Sequence, residues 1–373
     1  MTTNPLFKSS TINGMTLANR FIRSATWEGM ATEGGRVTPR LVDTMVALAN
    51  GGVGLIISGH AYVAKNGQAS PWQLGIYDDS LIDGLKTMTD AVHAAGGRIV
   101  AQLAHAGHFA LEKAIDTAPV VVSNFDGLSQ TPRTELSLAD IQDLKKTYVD
   151  AARRARTAGF DGIQLHSAHG YLFSQFLSPW FNRRSDEYGG TLDNRVRIHV
   201  DTIRAIRKTV GSDYPMLVKM NCEDFSEDGL TVAESIAAAG QMAAAGLDAI
   251  ELSGGLLTSG KLSPSRPNIN QSEKEAYFKD AARAFKRSLD VPLILVGGIR
   301  SIEVAEKLKD AGTADYFSMS RPLIREPGLI KRWQSGDRTR AHCLSDNLCF
   351  RPGMTGDGIY CVTEERIDKK KKG

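Results

Sequence analysis

The chain has 373 residues, 42% of them apolar and 23% charged, with a net charge of +3. That is the composition of a globular protein with a large core; the small charge excludes a basic face for nucleic acid, and no window approaches the ~18 apolar residues of a membrane span. Residues 1–10 hold no long apolar stretch of a secretory signal and four cysteines in this length make no disulfide scaffold, so a cytoplasmic protein with reduced thiols is expected.

Residues 4–20 read as a short hairpin cap turning at Asn13-Gly14. Strand and helix then alternate eight times. The strands are expected at Phe21–Thr26, Val53–Ser58, Arg98–Leu103, Gly162–Leu165, Met216–Met220, Ala249–Leu252, Leu293–Val296 and Tyr316–Met319. The helices are expected from Thr38-Pro39 to Asn50, from Asp78-Asp79 to Gly96, from Ser137 to Gly159, and over Leu192–Val210, Val232–Ala245, Ser272–Leu289, Ile302–Ala311 and Gly328–Gln334. The strands are short apolar runs without alternation, as when both faces are covered. Eight β-α units predict an α/β fold, a (β/α)8 TIM barrel. A doubly wound sheet would normally bring a nucleotide-binding glycine motif, and Gly52-Val53-Gly54 lacks the third glycine. The barrel is placed at 1–335, and residues 336–373 form an irregular C-terminal extension holding Cys343, Cys349 and Cys361. The lysine run 369–372 reads as a solvated tail.

Barrel chemistry sits at the C-terminal ends of strands. Those ends carry Ser24-Ala25-Thr26, Ser58-Gly59-His60, Gln102, His166 with His169, Lys219, Ser253, Gly297-Gly298 and Ser320-Arg321. The glycine pair and Ser320-Arg321 follow strands seven and eight, where barrels often bind phosphate through backbone amides; the bland reading is a tight turn and a surface arginine. Gln102 could pair with a ring presenting C=O and N–H, such as an isoalloxazine's pyrimidine edge, or satisfy backbone groups. Lys219 is costly to bury without negative charge; a reduced flavin supplies it, as would an ion pair with Asp224 or Glu223. His166 and His169 could ligate metal, but a third ligand is needed and no carboxylate follows before Asp186. The favoured reading is a donor pair that polarises a carbonyl or nitro oxygen, with no metal.

The segment QLHSAHGYLFSQFLSPWFNRRSDEYGGTLDNR closely resembles strand four of the old yellow enzymes, the FMN-dependent ene-reductases. The likeness extends to PLFKSSTINGMTLANRFIRSAT, AQLAHAG, VKMNCEDF and VGGIRS…DYFSMSRPLIREP, covering roughly residues 5–335. It implies a barrel with non-covalent FMN, reduced by NADH or NADPH and reoxidised by an alkene that bears an electron-withdrawing group. By position, His166 and His169 bind the substrate oxygen and Tyr171 gives the alkene its proton. Gln102 meets the pyrimidine ring, Lys219 stands near N1, and Gly297, Gly298, Ser320 and Arg321 line the phosphate. Ser24, Ala25, Thr26 and Gly59 belong to the cofactor site, with Thr26 or Trp27 near flavin O4 and Trp27 on the substrate side. Trp27, Tyr62, Phe109 and Trp180 could shape the pocket or be core aromatics. Barrels of this kind often associate, which allows a homo-oligomer.

HCLSDNLCF is similar to the iron–sulfur segment of the dienoyl-CoA reductase and trimethylamine dehydrogenase group. That cluster needs four thiolates, and Asp346 stands where one is expected, so a vestigial segment or weak metal site is anticipated. Two other readings remain: a dienoyl-CoA-reductase-like flavoenzyme, and a phosphate-binding isomerase or aldolase with Lys219 as Schiff-base lysine.

Overall fold

In the computed structural model of the chain, which describes residues 4–372, eight parallel strands close into a barrel. They are β1 Phe21–Arg23, β2 Leu55–Tyr62, β3 Ile99–Ala104, β4 Gly162–Ser167, β5 Met216–Asn221, β6 Ala249–Ser253, β7 Leu293–Leu295 and β8 Tyr316–Met319. The pairs Phe317↔Phe21 and Met319↔Arg23 join β8 to β1 and close the ring. Outside it lie α1 Pro39–Asn50, α2 Ile82–Ala94, α3 Leu138–Thr157, α4 Leu192–Val210, α5 Val232–Ala244, α6 Lys279–Ser288 and α7 Ile302–Asp310. This is the expected (β/α)8 barrel.

Local chemistry starts the helices where the sequence places them. Thr38 accepts from the Leu41 amide ahead of Pro39, and Ser137 and Asp140 cap each other reciprocally. The N-terminal hairpin turns at Asn13 and Gly14, both at positive φ (41° and 80°), as a two-residue turn between right-twisted strands requires. Its Ile12, Met15 and Leu17 pack with Ile22, Leu55, Ile57, Val100, Leu217, Ala249 and Ile294 inside the barrel. Most of these lie at or near the starts of their strands, so the hairpin plugs the N-terminal end and leaves the C-terminal end for chemistry.

Strand β1 ends at Arg23, short of the expected Thr26, and three elements differ more from the sequence reading. Strand β2 runs on to Tyr62, four residues past Ser58, because a register shift between Ile57 and His60 lets it keep pairing with β3. A bulge of this kind re-aims side chains. Helix α6 begins at Lys279, not Ser272. The buried Glu275 leaves that helix and accepts from the amides of Arg300 and Ser301 at the start of α7. Finally, the C-terminal extension ends in a helix, Val362–Lys372, with Glu364 and Glu365 in its first turn and a Glu365–Lys369 pair along one face.

Candidate active site

The cleft at the C-terminal mouth has a volume of about 190 Å³ and is lined by Ser24, Ala25, Thr26, Trp27, Gln102, His166, His169, Tyr171, Lys219 and Ser320, together with His60, Ser253, Leu257, Pro264, Ser265, Val296 and Phe350. The first ten, with His60 and Ser253, are residues that the sequence places at strand ends or in the implied site. Of the remainder, Phe350 is brought in by the extension after the barrel. Gly59, Gly297, Gly298 and Arg321 do not line the cleft. Tyr62 stacks on Tyr77, and Phe109 and Trp180 pack on Phe181, so these aromatics serve packing.

Strand β4 ends at Ser167, and the chain turns through His169 (φ 65°) and Gly170 (φ 85°). A non-glycine residue in the left-handed region is uncommon. Here the His169 amide is held by Asn221 Oδ1 at 3.1 Å and the Gly170 amide by Ser174 Oγ at 3.1 Å. The turn folds Tyr171 back over β4, edge-on to His166 with ring centroids 4.7 Å apart at 88°. His166 and His169 lie 5.3 Å apart, and His169 Nε2 bonds Ser253 Oγ at 2.8 Å.

All three side chains are neutral in this environment. Burial, then the positive charges of Lys219 and of neighbouring imidazoles (His60 for both, His169 for His166), holds His166 and His169 well below the usual imidazole range, and burial pushes the Tyr171 phenol well up. His166 Nδ1 is buried without a hydrogen-bond partner among the described residues. On this wall the cleft therefore offers N–H and O–H dipoles, not charges.

Beneath the cleft lies a carboxylate that sequence reasoning missed. Glu251 on β6 is fully buried and stands beside Lys219 in register, with Lys219 Nζ 3.4 Å from its Oε1. The ion pair expected with Asp224 or Glu223 does not form; Asp224 instead accepts from Asn221 and the Leu230 amide. Lys219 also donates to Ser24 Oγ (2.7 Å), which donates to Glu251 Oε1 (2.6 Å), as does Ser318 Oγ (2.7 Å). Burial opposes ionisation of Glu251, but Lys219 and the bonds from Ser24, Ser318 and Gln164 outweigh it and hold the carboxyl below the usual carboxylate range. An ionised carboxylate only accepts. Gln164 must therefore donate Nε2 to Oε2 (2.9 Å), which turns its Oε1 toward Gln102 Nε2 (2.7 Å). The chain of bonds fixes the Gln102 amide and leaves its Oε1 for the cleft.

Gly59 sits behind the rim, its amide on Glu28 Oε1 at 3.0 Å, and a Cβ there would lie 2.0 Å from Glu28 Oε2. Thr26 Oγ1 bonds Ser320 Oγ at 2.7 Å, and Trp27 Nε1 bonds Pro71 O at 3.2 Å. The amides of Gly297 and Gly298 meet no acceptor among the described residues. Arg321, which opens the short helix Arg321–Arg325, donates to Asn347 Oδ1 (2.5 Å) and Arg266 O (3.0 Å). Asn347, at φ 61°, also reaches Ser265 O at 2.8 Å, so the extension is stitched onto this side of the mouth. Its positive φ and its place among Cys343, Asp346 and Cys349 gave no sign of that role.

The four cysteines are free thiols. Among the described residues no group of three or more His, Cys, Asp or Glu stands ready to hold a metal. Asp346 is occupied by Thr363 Oγ1 and the Leu348 amide, and burial pushes the Cys349 thiol up to about 12. As they stand, these residues do not fit an iron–sulfur cluster.

Residues 5–340 match the NADH:flavin oxidoreductase / NADH oxidase family. The chain belongs to this family. It is 34% identical over 95% of its length to an NADH oxidase of Thermoanaerobacter brockii, and spans 54% of that protein. It is 36% identical over 86% of its length to an NADPH dehydrogenase of a Geobacillus species, and spans 91% of that one. The old yellow enzyme homologue of Zymomonas mobilis superposes with a TM-score of 0.76 at 27% identity, over 90% of this chain and 94% of that one. The chain thus spans about half the length of some of the curated relatives it matches, a second of them at 49%. The family's description names a flavin, and FMN is the flavin that the sequence resemblance implies. The residues fit the cofactor. Unbonded amides after strand seven and a guanidinium after strand eight suit a phosphate, an oriented amide oxygen suits a ring N–H, and a lysine on the floor suits an electron-rich ring.

The buried imidazoles predict an acid limit to stability. Burial lowers His60 and His105 to about 4 and His199 to about 3. The unfolded chain, with histidine near ~6.5, binds more protons than the folded one below that value. Stability is then full above ~6.5 and lost as pH falls through the folded values, each histidine contributing up to about 1.4 kcal/mol per pH unit. The melting temperature should be flat from pH 7 to 8 and drop steadily from 6.5 to 4. A flat profile across that window would mean these rings are solvated.

Proposed function

We propose that the protein oxidises NADH or NADPH and reduces an alkene activated by a carbonyl or nitro group. The observation that carries the reading is the convergence of His166, His169 and Tyr171, all neutral and within 4.7–5.3 Å of a neighbour, over a floor of Lys219 and Gln102. FMN supplies hydride transfer when bound. Arg321 and the Gly297 and Gly298 amides would hold its phosphate, Gln102 Oε1 its pyrimidine edge, and Lys219 the side where negative charge gathers.

His166 and His169 would grip the acceptor's activating oxygen. Negative charge grows there as the alkene's β-carbon is reduced, and preoriented N–H dipoles stabilise it without reorganising. Tyr171 holds its proton at neutral pH because burial raises its phenol, so it can deliver that proton to the α-carbon at Oη. The aldolase alternative is disfavoured, since Lys219 is held between Ser24 and Glu251, and an ammonium against a carboxylate is a poor nucleophile. The free cysteines agree with a reducing compartment.

The test is the visible spectrum of the purified protein, followed by anaerobic titration with NADH and NADPH and reoxidation by 2-cyclohexenone. A two-peaked yellow spectrum, FMN release on heating and recovery of the oxidised form by the enone are expected. A colourless protein that FMN does not reconstitute would overturn the proposal. In the holoenzyme, His166→Ala with His169→Ala should abolish the long-wavelength absorption that phenols give on binding. Phenol titrating the double variant as it does the native protein would remove the pair from the oxygen site.

A further inference from the structure

One imidazole of the cleft has no part in the reading above. His60 stands on β2 after the register shift, opposite Gln102 on β3. Its ring is parallel to that of His166, 1° from coplanar with centroids 6.3 Å apart, and edge-on to Tyr171 at 5.5 Å. It therefore lies on the same wall as the proposed oxygen-binding and proton-donating groups.

The neighbours of His60 determine which proton it carries. Gln73 Oε1 accepts from the amides of Ala69 (2.7 Å) and Ser70 (3.3 Å), so that end of the side chain is the oxygen. The other end, Nε2, lies 2.9 Å from His60 O and 2.7 Å from His60 Nδ1. An amide nitrogen only donates. Nδ1 is thus the acceptor, and the ring proton sits on Nε2. That atom has no hydrogen-bond partner among the described residues and is not sealed off, while the ring lines the cleft. Neutral His60 is a single oriented N–H donor with nothing among the described residues to receive it.

We infer that His60 is a specificity-determining donor, and that the preferred acceptor carries a second, uncharged oxygen beside the one that activates its double bond. The inference rests on the proposed alkene reduction. With ring centroids 6.3 Å apart, the two imidazoles are too far apart for the two oxygens of a single nitro group, and carbonyls on the two ends of one C=C match that separation better. The second group is uncharged because the one cation lining the cleft, Lys219, already faces Glu251; a carboxylate beside His60 would be buried without a counter-ion. The class is the ene-dicarbonyls: enediones, unsaturated diesters and cyclic imides.

The experiment compares cyclohex-2-ene-1,4-dione with cyclohex-2-enone on the FMN-loaded enzyme. The ratio of their kcat/KM values is expected to fall about tenfold in His60→Phe, the worth of one lost hydrogen bond, and to recover in His60→Gln, which keeps a donor. Gln73→Leu, which frees the tautomer, should give an intermediate ratio. A binding measurement keeps the inference independent of turnover: on the oxidised enzyme, the affinity for 4-hydroxybenzaldehyde relative to phenol should drop in His60→Phe by a similar factor. Ratios that stay at the native value in His60→Phe, for substrates and phenols alike, would overturn the role of His60. If neither ketone reoxidises the reduced native enzyme, the underlying alkene reading fails instead, and the two failures are told apart by that control.

Discussion

Tyr171→Phe is expected to slow reoxidation of the reduced enzyme by an activated alkene roughly 10²–10⁴-fold, the range for a positioned general acid, while reduction by NADH or NADPH keeps its rate. The two half-reactions draw differently on this wall of the cleft. Reduction by the nicotinamide needs a surface to bind against, and a phenylalanine ring preserves the edge-on contacts that Tyr171 makes with His166 and His60. Reoxidation by the alkene needs a proton at the α-carbon, and the hydroxyl is what the substitution removes. Tyr171 is only 8% exposed, so water reaches that position poorly. Because burial raises the phenol well above its ordinary value, the native rate of alkene reduction should not decline with rising pH until well past neutrality. Anaerobic stopped-flow at the flavin absorption band separates the steps. Equal slowing of both half-reactions would remove Tyr171 as the acid and leave it a packing residue.

The sequence displays the parts of this site that sit where a strand visibly ends. His166, His169 and Tyr171 follow an apolar run and break it with polar groups, so their position at the mouth is legible. Lys219 is legible for the same reason. Glu251 is not: the run Ala249–Ser253 reads as a strand covered on both faces, and nothing in it marks a single glutamate between Ile250 and Leu252 as one that faces into the barrel. Only closure of the barrel turns that face inward, where Lys219, Ser24, Ser318 and Gln164 satisfy it. His60 is legible as part of a strand end, but its role is obscured by a different effect. Ser58-Gly59 looks like the end of β2, yet the shifted register continues the strand and carries the imidazole into the cleft. Asn347 and Phe350 come from a segment whose cysteines dominate its appearance. Their contribution depends on left-handed turns at Ser345 and Asn347 that non-glycine residues seldom signal.

The second large effect is expected at Glu251. Glu251→Leu strands the Lys219 ammonium without a carboxylate and leaves Ser24, Ser318 and Gln164 each short of an acceptor. Breaking one partner of a buried pair costs about 3–5 kcal/mol, a loss readable in urea unfolding of the holoenzyme. The charge itself is the source: Glu251→Gln keeps the shape and an acceptor oxygen and should lose less, while Lys219→Met combined with Glu251→Leu should recover much of the loss, because no lone charge remains. The pair also sets the field under the cofactor. With the carboxylate gone, the positive charge of Lys219 is no longer offset, so the flavin potential should rise in Glu251→Gln and fall in Lys219→Ala, measured by equilibration with a reference dye. The pH dependence has a definite sign as well. Glu251 is held below the usual carboxylate range when folded, so its contribution is full above that range and is lost as pH falls through the depressed value. In Glu251→Gln the part of the acid loss that lies below the ordinary glutamate range should therefore disappear, while the histidine part, which begins at ~6.5, should remain. A double variant no more stable than Glu251→Leu alone, together with an unmoved potential, would show that Lys219 and Glu251 act separately and that the buried network is packing, not electrostatics.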